Sequence, residues 1–146
     1  MDPIGIPSLR LMALILVGVL ACPASGRAGG LHEKGDTPPV ISHGSKVDLE
    51  DYLVPGKTTI FDFYSIHCPT CMSLKPGLER LHASRPDIAV VMVDVDRPGS
   101  KGIDWESPVA KQHGLPSTPQ FRVFGPDGKL QAKGRPAYDL VTGWIK

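Results

Sequence analysis

Two cysteines three positions apart, Cys68 and Cys71, are the residues of this sequence best suited to carry chemistry. They directly follow the apolar run 58–64 and directly precede a segment with helical patterning, so they stand at the N-terminus of a predicted helix. Cysteines in this arrangement can form a small disulfide that opens and closes. The pair therefore predicts thiol–disulfide redox chemistry.

Metal binding is the alternative use of the same cysteines. A C-x-x-C pair is also half of many zinc sites, but a structural zinc site normally needs four ligands. The chain has three cysteines, and the third, Cys22, lies in an N-terminal hydrophobic segment. His67 could join Cys68 and Cys71 in holding a copper or zinc ion for delivery, so this alternative stays open. The redox interpretation needs no metal and no organic cofactor.

Apolar spacing within the helix predicts different environments for the two thiols. Cys71, Leu74, Leu78 and Leu81 are separated by three, four and three residues, so Cys71 begins a buried stripe. Cys68 is expected at the exposed end of the helix. Cys68 is therefore predicted to attack a substrate, and Cys71 to resolve the mixed disulfide.

The remaining patterns alternate strands and helices. They predict a short helix over 47–54, strands over 58–64 and 88–95, a helix between Ser107 and Gly114, a hairpin of strands 120–124 and 129–132, and a helix over 136–145. A short strand is also expected at 40–41. Crossover connections combined with a hairpin indicate an α/β fold, in which a central mixed sheet is flanked by helices on both faces.

Asp62 lies in the middle of the apolar run 58–64. A charged carboxylate buried there without a partner would cost several kcal/mol, so the group should be protonated or hydrogen-bonded. An aspartate on a solvated face of the strand is the alternative.

The order of elements around the C-x-x-C motif resembles the thioredoxin superfamily over about residues 47–145. The matching positions are Phe61-Asp62-Phe63-Tyr64, Pro76 five residues after Cys71, Thr118-Pro119 before the strand 120–124, and Gly134 after the hairpin. The resemblance implies that Asp62 accepts the proton of Cys71 and that Pro119 is cis. The Thr118 backbone would then lie beside the disulfide and bind a substrate chain.

Three positions depart from cytosolic thioredoxins. His67 replaces a tryptophan, Pro-Thr replaces Gly-Pro between the cysteines, and Met92 stands where a buried lysine is usual. A protonated His67 could lower the pKa of Cys68, and Thr70 could donate to its sulfur; both would favour the reduced form. The alternative for His67 is a surface ring without thiolate contact. With Thr118 and Pro119, it is assigned to the substrate-binding surface.

The segment 97–106 is longer than the minimal family pattern. Its Trp105 is expected to anchor the segment on the core, with a contribution to the substrate surface as the alternative.

The N-terminus has the layout of an export signal. An uncharged run, 11–21, follows Arg10 and precedes small residues, so residues 1–28 are predicted to be a signal peptide. Residues 29–45 are expected to form a flexible lead-in, and 46–146 a thioredoxin-like domain. Processing before Cys22 would give a lipid tether. The expected location is the periplasm, in solution or tethered to the membrane.

The charge balance bears on the partners. Lys and Arg number 16 against 15 Asp and Glu, which argues against a nucleic-acid role. The resemblance to exported thioredoxin-like proteins implies protein thiols or disulfides as substrates, a membrane electron donor or oxidant, and a monomer.

Overall fold

A mixed sheet of five strands forms the centre of the computed structural model, which describes residues 34–146. The strands are β1 (Val40–Ile41), β2 (Thr58–Tyr64), β3 (Ile88–Asp94), β4 (Gln120–Phe124) and β5 (Leu130–Lys133), in the order β1-β3-β2-β4-β5. β1, β3 and β2 run parallel to one another. β4 pairs antiparallel with β2, and β5 pairs antiparallel with β4. The predicted signal peptide and Cys22 lie outside the described residues.

The two central strands are buried on both faces, as their near-continuous apolar sequences predict. Every residue of β2 except the first is buried, and so is every residue of β3 except the last. The parallel register places Asp62 of β2 opposite Met92 of β3. The strand that carries the acid is thus the middle one of the sheet.

Three helices cover the sheet: α1 (Pro69–Ser84), α2 (Pro108–His113) and α3 (Arg135–Trp144). Pro76 lies inside α1. The predicted boundaries of α2 are confirmed, because the Ser107 hydroxyl accepts the Ala110 N–H and Gly114 ends the helix in the left-handed conformation. The predicted helix over 47–54 is shorter, a 3-10 turn at Leu49–Tyr52, because the chain is already extended at residue 53.

Each face of the sheet has its own apolar core. α1 and α3 contribute Cys71, Leu78 and Val141 to the core on one face. On the other face, Val109 of α2 and Leu49 of the 3-10 turn pack with Phe61 and other residues of the strands. The predicted α/β fold with helices on both faces is confirmed.

In the described part of the expected lead-in, residues 34–45, the short strand predicted at 40–41 is confirmed and the chain packs against the sheet. β1 pairs with the outer side of β3, and the buried Ile41 joins the second core. The Pro39 carbonyl accepts the Met92 N–H at 2.8 Å, and the Gly44 carbonyl accepts the Val109 N–H at 3.2 Å. These residues are part of the domain. Within 34–146, no helix is both long enough and apolar enough to cross a membrane.

Candidate active site

Cys68 and Cys71 form a disulfide at the N-terminus of α1, with their Cα atoms 5.3 Å apart. Cys68 is the N-cap of the helix, and its Sγ accepts the backbone N–H of Cys71 at 3.2 Å. Pro69 occupies the first helical turn, where its missing N–H removes no helical bond. The helix therefore directs an N–H group at the sulfur that is predicted to react first.

Both cysteines are more enclosed than the sequence indicates. Cys68 is 4% exposed and Cys71 1% exposed, so both residues are buried and the expected exposure of Cys68 is wrong. The reason is the loop before β4, whose Thr118 carbonyl oxygen lies 3.6 Å from the Cys68 Sγ.

The Thr118-Pro119 peptide bond is cis, as the resemblance implies. It places the Thr118 backbone beside the disulfide. The Thr118 hydroxyl is buried and has no hydrogen-bond partner among the described residues. Binding of a substrate chain by Thr118 and Pro119 stays a prediction.

Asp62 is completely buried at the centre of β2, so the solvated alternative is wrong. Its neighbours in register are Met92 of β3 and Phe121 of β4, and neither carboxyl oxygen has a hydrogen-bond partner in the described part of the chain. Burial in these apolar surroundings raises the pKa of Asp62 to about 8. The group can thus exchange a proton near neutral pH; its transfer of that proton to or from Cys71 stays a prediction.

His67 points toward the segment 97–106. Its Nε2 lies 3.0 Å from the Ser100 carbonyl oxygen, and its backbone N–H donates to the Ser65 hydroxyl at 3.0 Å. The ring is at the surface, which favours the interpretation without thiolate contact. Thr70 is likewise exposed.

Trp105 does not anchor the segment 97–106. It is 40% exposed, so the expected core contact is wrong; Ile103 packs against both cores instead.

Sequence reasoning also missed Ser65 and Asp96. Ser65 precedes the cysteine motif, and its side chain is hydrogen-bonded to that of Asp96. An acid two residues after the end of β3 is a signal for such a contact, but its partner is 31 residues away in the sequence.

The metal alternative finds no further support in this geometry. Within residues 34–146, no group of three or more His, Cys, Asp or Glu side chains is arranged to hold a metal ion. His67, the expected third ligand, faces Ser100.

A protein-family model described as thioredoxin matches residues 45–142. A thioredoxin from Mycoplasmoides gallisepticum is 29% identical over 89 residues, which cover 61% of this chain and 80% of the relative. Two solved structures share the fold. A mutant thioredoxin from Halobacterium salinarum NRC-1 has a TM-score of 0.52 at 21% identity, covering 79% of this chain and 96% of the other. A chain of the complex between ferredoxin:thioredoxin reductase and thioredoxin f2 has a TM-score of 0.51 at 17% identity, covering 76% and 94%.

Proposed function

Since the chain belongs to the thioredoxin family, we propose that it exchanges disulfides with protein thiols outside the cytosol, chiefly as a reductase. Its class of activity is thiol–disulfide oxidoreductase. The observation that carries the proposal is the Cys68–Cys71 disulfide at the N-terminus of α1, beside a cis proline.

The proposed reaction has two exchanges. The Cys68 thiolate attacks one sulfur of a substrate disulfide, which forms a mixed disulfide and releases the first substrate thiolate. Cys71 loses its proton to Asp62, and its thiolate attacks the Cys68 sulfur. The second substrate thiolate leaves and is protonated, and the Cys68–Cys71 disulfide is formed. Two electrons from a reducing partner then restore the dithiol.

The buried carboxyl supports the proton transfer in the resolving step, whichever direction the exchange runs. With a pKa of about 8, Asp62 is partly ionised near neutral pH and can accept a proton from a thiol whose usual pKa is about 8.5. The complex of a thioredoxin f2 with its reductase supports a partner that returns electrons. For an exported chain, that partner would be a membrane electron donor.

The first test is the reduction potential of the pair. Purified protein is equilibrated with glutathione mixtures, and the free thiols are trapped and counted. A potential near about −270 mV is expected for a reductase, whereas a value near about −120 mV would indicate an oxidant. If no disulfide forms between Cys68 and Cys71, the redox proposal is wrong, and metal content of the reduced protein becomes the next measurement.

Turnover tests the roles of the cysteines. Cys68→Ser is expected to abolish the reduction of insulin, because no thiolate remains to attack. Cys71→Ser should instead accumulate a mixed disulfide with the substrate, visible by mass spectrometry. Equal turnover by the Cys68→Ser variant and the parent chain would contradict the proposed order of attack.

Export is supported by the uncharged run 11–21 and the small residues after it. The mass of the protein recovered from cell fractions tests it. A periplasmic product shortened near residue 28 is expected for a cleaved signal, and a lipid-modified N-terminus at Cys22 for a tether. A chain of unchanged mass in the cytosol would contradict export. Cys22→Ser is the control, because it removes only the lipid acceptor.

A further inference from the structure

Ser65 organises the turn that leads into the active-site helix. Its carbonyl accepts the Cys68 N–H at 3.1 Å, and its hydroxyl oxygen accepts the His67 N–H at 3.0 Å. The same hydroxyl donates to Oδ2 of Asp96 at 2.6 Å. The turn 65–68 is therefore held through one serine, and that serine is held by one carboxylate.

The Ser65–Asp96 bond is shielded from water. Ser65 is 0% exposed and Asp96 6% exposed. A hydrogen bond to a carboxylate is stronger than one between neutral groups, and exclusion of water strengthens it further. This bond is thus well placed to keep the turn in one conformation.

Asp96 is the first residue of a loop that ends at Asp104, which we call the 96–104 loop, and contacts within this loop fix its side chain. Its Oδ1 accepts the Asp104 N–H at 3.0 Å, and the Asp104 carboxylate binds the Arg97 guanidinium through two contacts of 2.6 and 3.0 Å. The Ser100 carbonyl meets the His67 ring at 3.0 Å. The loop is therefore closed at both ends and joined to the active-site turn at two points.

We propose that Asp96 is a positioning residue for Cys68 and acts through Ser65. The 96–104 loop holds the Asp96 side chain in place for this role. The proposal rests on the thiol chemistry of Cys68 proposed above. Cys68 has the extended backbone of an N-cap, with φ −97° and ψ 108°, and this brings the Cys71 N–H to its sulfur. A thiolate at Cys68 gains from that N–H only while the turn before it is fixed.

The test measures how readily Cys68 forms a thiolate. In the full chain with Cys22→Ser and Cys71→Ser, Cys68 is the only thiol, and its alkylation by iodoacetamide is followed against pH. Ser65→Ala is expected to move the midpoint of the pH profile upward and to slow alkylation at pH 7 about threefold to tenfold, the effect of one lost hydrogen bond.

Ser107→Ala is the matched control. Ser107 is also 0% exposed, and its hydroxyl also holds a backbone N–H, but it caps α2. Both variants should lower the melting temperature, and Ser65→Ala alone should change the pH profile. A profile unchanged by Ser65→Ala, or changed equally by Ser107→Ala, would overturn the positioning role.

Asp96→Ala gives a second test if Ser65→Ala does not fold, because it removes both acceptor oxygens, whereas an asparagine would keep one that can still accept the Ser65 hydroxyl. Removal of a nearby negative charge alone would make the thiolate easier to form, whereas loss of the positioning bond makes it harder. An upward shift of the midpoint supports the proposal, and a downward shift overturns it. Alkylation requires only the Cys68 thiol, so these results stand apart from the insulin assay, whose failure would count against the proposed function itself.

Discussion

Asp62 must ionise to accept the proton of Cys71 in the proposed reaction, but ionisation of its buried carboxyl lowers the stability of the fold. A folded-state pKa of about 8 lies far above the usual aspartate value of about 3.9, so the folded chain holds a proton that the unfolded chain has lost between these two pH values. Stability therefore falls as the pH rises from about 4 to about 8, because ionisation of the buried carboxyl is unfavourable in the folded chain, and it levels off above this range.

Asp62→Asn should remove that pH dependence and slow catalysis. The amide does not titrate, so its free energy of unfolding in urea should show a flatter profile between pH 4 and 8. Insulin reduction should slow by about tenfold to a hundredfold, because Cys71 loses its proton acceptor.

Asp127→Asn is the comparison for this experiment, since Asp127 is exposed near the β4–β5 turn. It should change neither property. A variant at position 62 with unchanged turnover would show that the buried acid is not the base.

The sequence could predict Asp62 more easily than Ser65. Burial of Asp62 follows from its own strand, where the two residues on each side of it are apolar or aromatic. The role of Ser65 depends on Asp96, which follows a different strand and reaches it only because β2 and β3 end side by side. Local patterns contain the first kind of information but not the second.

At the scale of elements, His82 joins three parts of the fold. It lies near the end of α1, its Nδ1 accepts the Val90 N–H of β3 at 2.9 Å, and its Nε2 lies 2.8 Å from the Gly35 carbonyl. Since Nδ1 accepts, the proton is on Nε2, which donates to Gly35. Burial lowers the pKa of His82, so the folded chain keeps the ring neutral.

Acid should therefore weaken the fold through His82. Below the usual histidine pKa of about 6.5, His82 is protonated in the unfolded chain but stays neutral in the folded chain. The free energy of unfolding therefore decreases as the pH falls toward the lowered folded-state pKa. His82→Gln should lose about 1 to 3 kcal/mol at pH 7, because hydrogen bonds of the ring are broken, and should lose less than the parent chain on acidification. Urea unfolding at pH 7 and pH 5 measures both effects.

His43→Gln is the control for His82, because the His43 side chain is at the surface and its ring is hydrogen-bonded to the Asp94 carboxylate at 3.2 Å, outside both cores. Asp62 changes the free energy of unfolding in the opposite direction over the same pH range. The comparison is therefore between the variant and the parent chain, in the change of this free energy from pH 7 to pH 5. An equal acid response in His82→Gln and the parent chain would contradict the assignment.

Local signals decided which elements could be predicted. The ends of α2 are marked by Ser107-Pro108, an N-cap followed by a first-turn proline, and by Gly114. β2 and β3 are marked by nearly continuous apolar runs. The 3-10 turn at Leu49–Tyr52 is too short for its periodicity to separate it from a longer helix. Trp105 is exposed, whereas Ile103, two residues earlier, packs against both cores; hydrophobicity alone does not show which of the two apolar residues is buried.

At the scale of the whole molecule, the family match begins at residue 45, but the packed structure extends further toward the N-terminus. β1 covers the free edge of β3, and the segment before it supplies the carbonyl that His82 needs. A two-residue strand has little preference of its own and gains its stability from β3, so the strand at 40–41 could be predicted from its apolar residues but its packing on the sheet could not. The stretch from 34 to 45 therefore completes the sheet on the side away from β4 and β5.

Removal of that stretch provides the last prediction. A chain beginning at residue 46 should unfold with a free energy at least about 3 kcal/mol below that of a chain beginning at residue 34. It loses the buried Ile41 side chain, the hydrogen bonds of β1, and the Gly35 and Gly44 carbonyls that accept from His82 and Val109. Urea unfolding at pH 7 gives the difference. Alkylation of reduced Cys68 should be similar in both chains, because Ser65, Asp96 and α1 remain. Equal unfolding midpoints would mean that β1 only rests on the sheet, whereas a changed Cys68 reactivity would mean that this edge strand also supports the redox site.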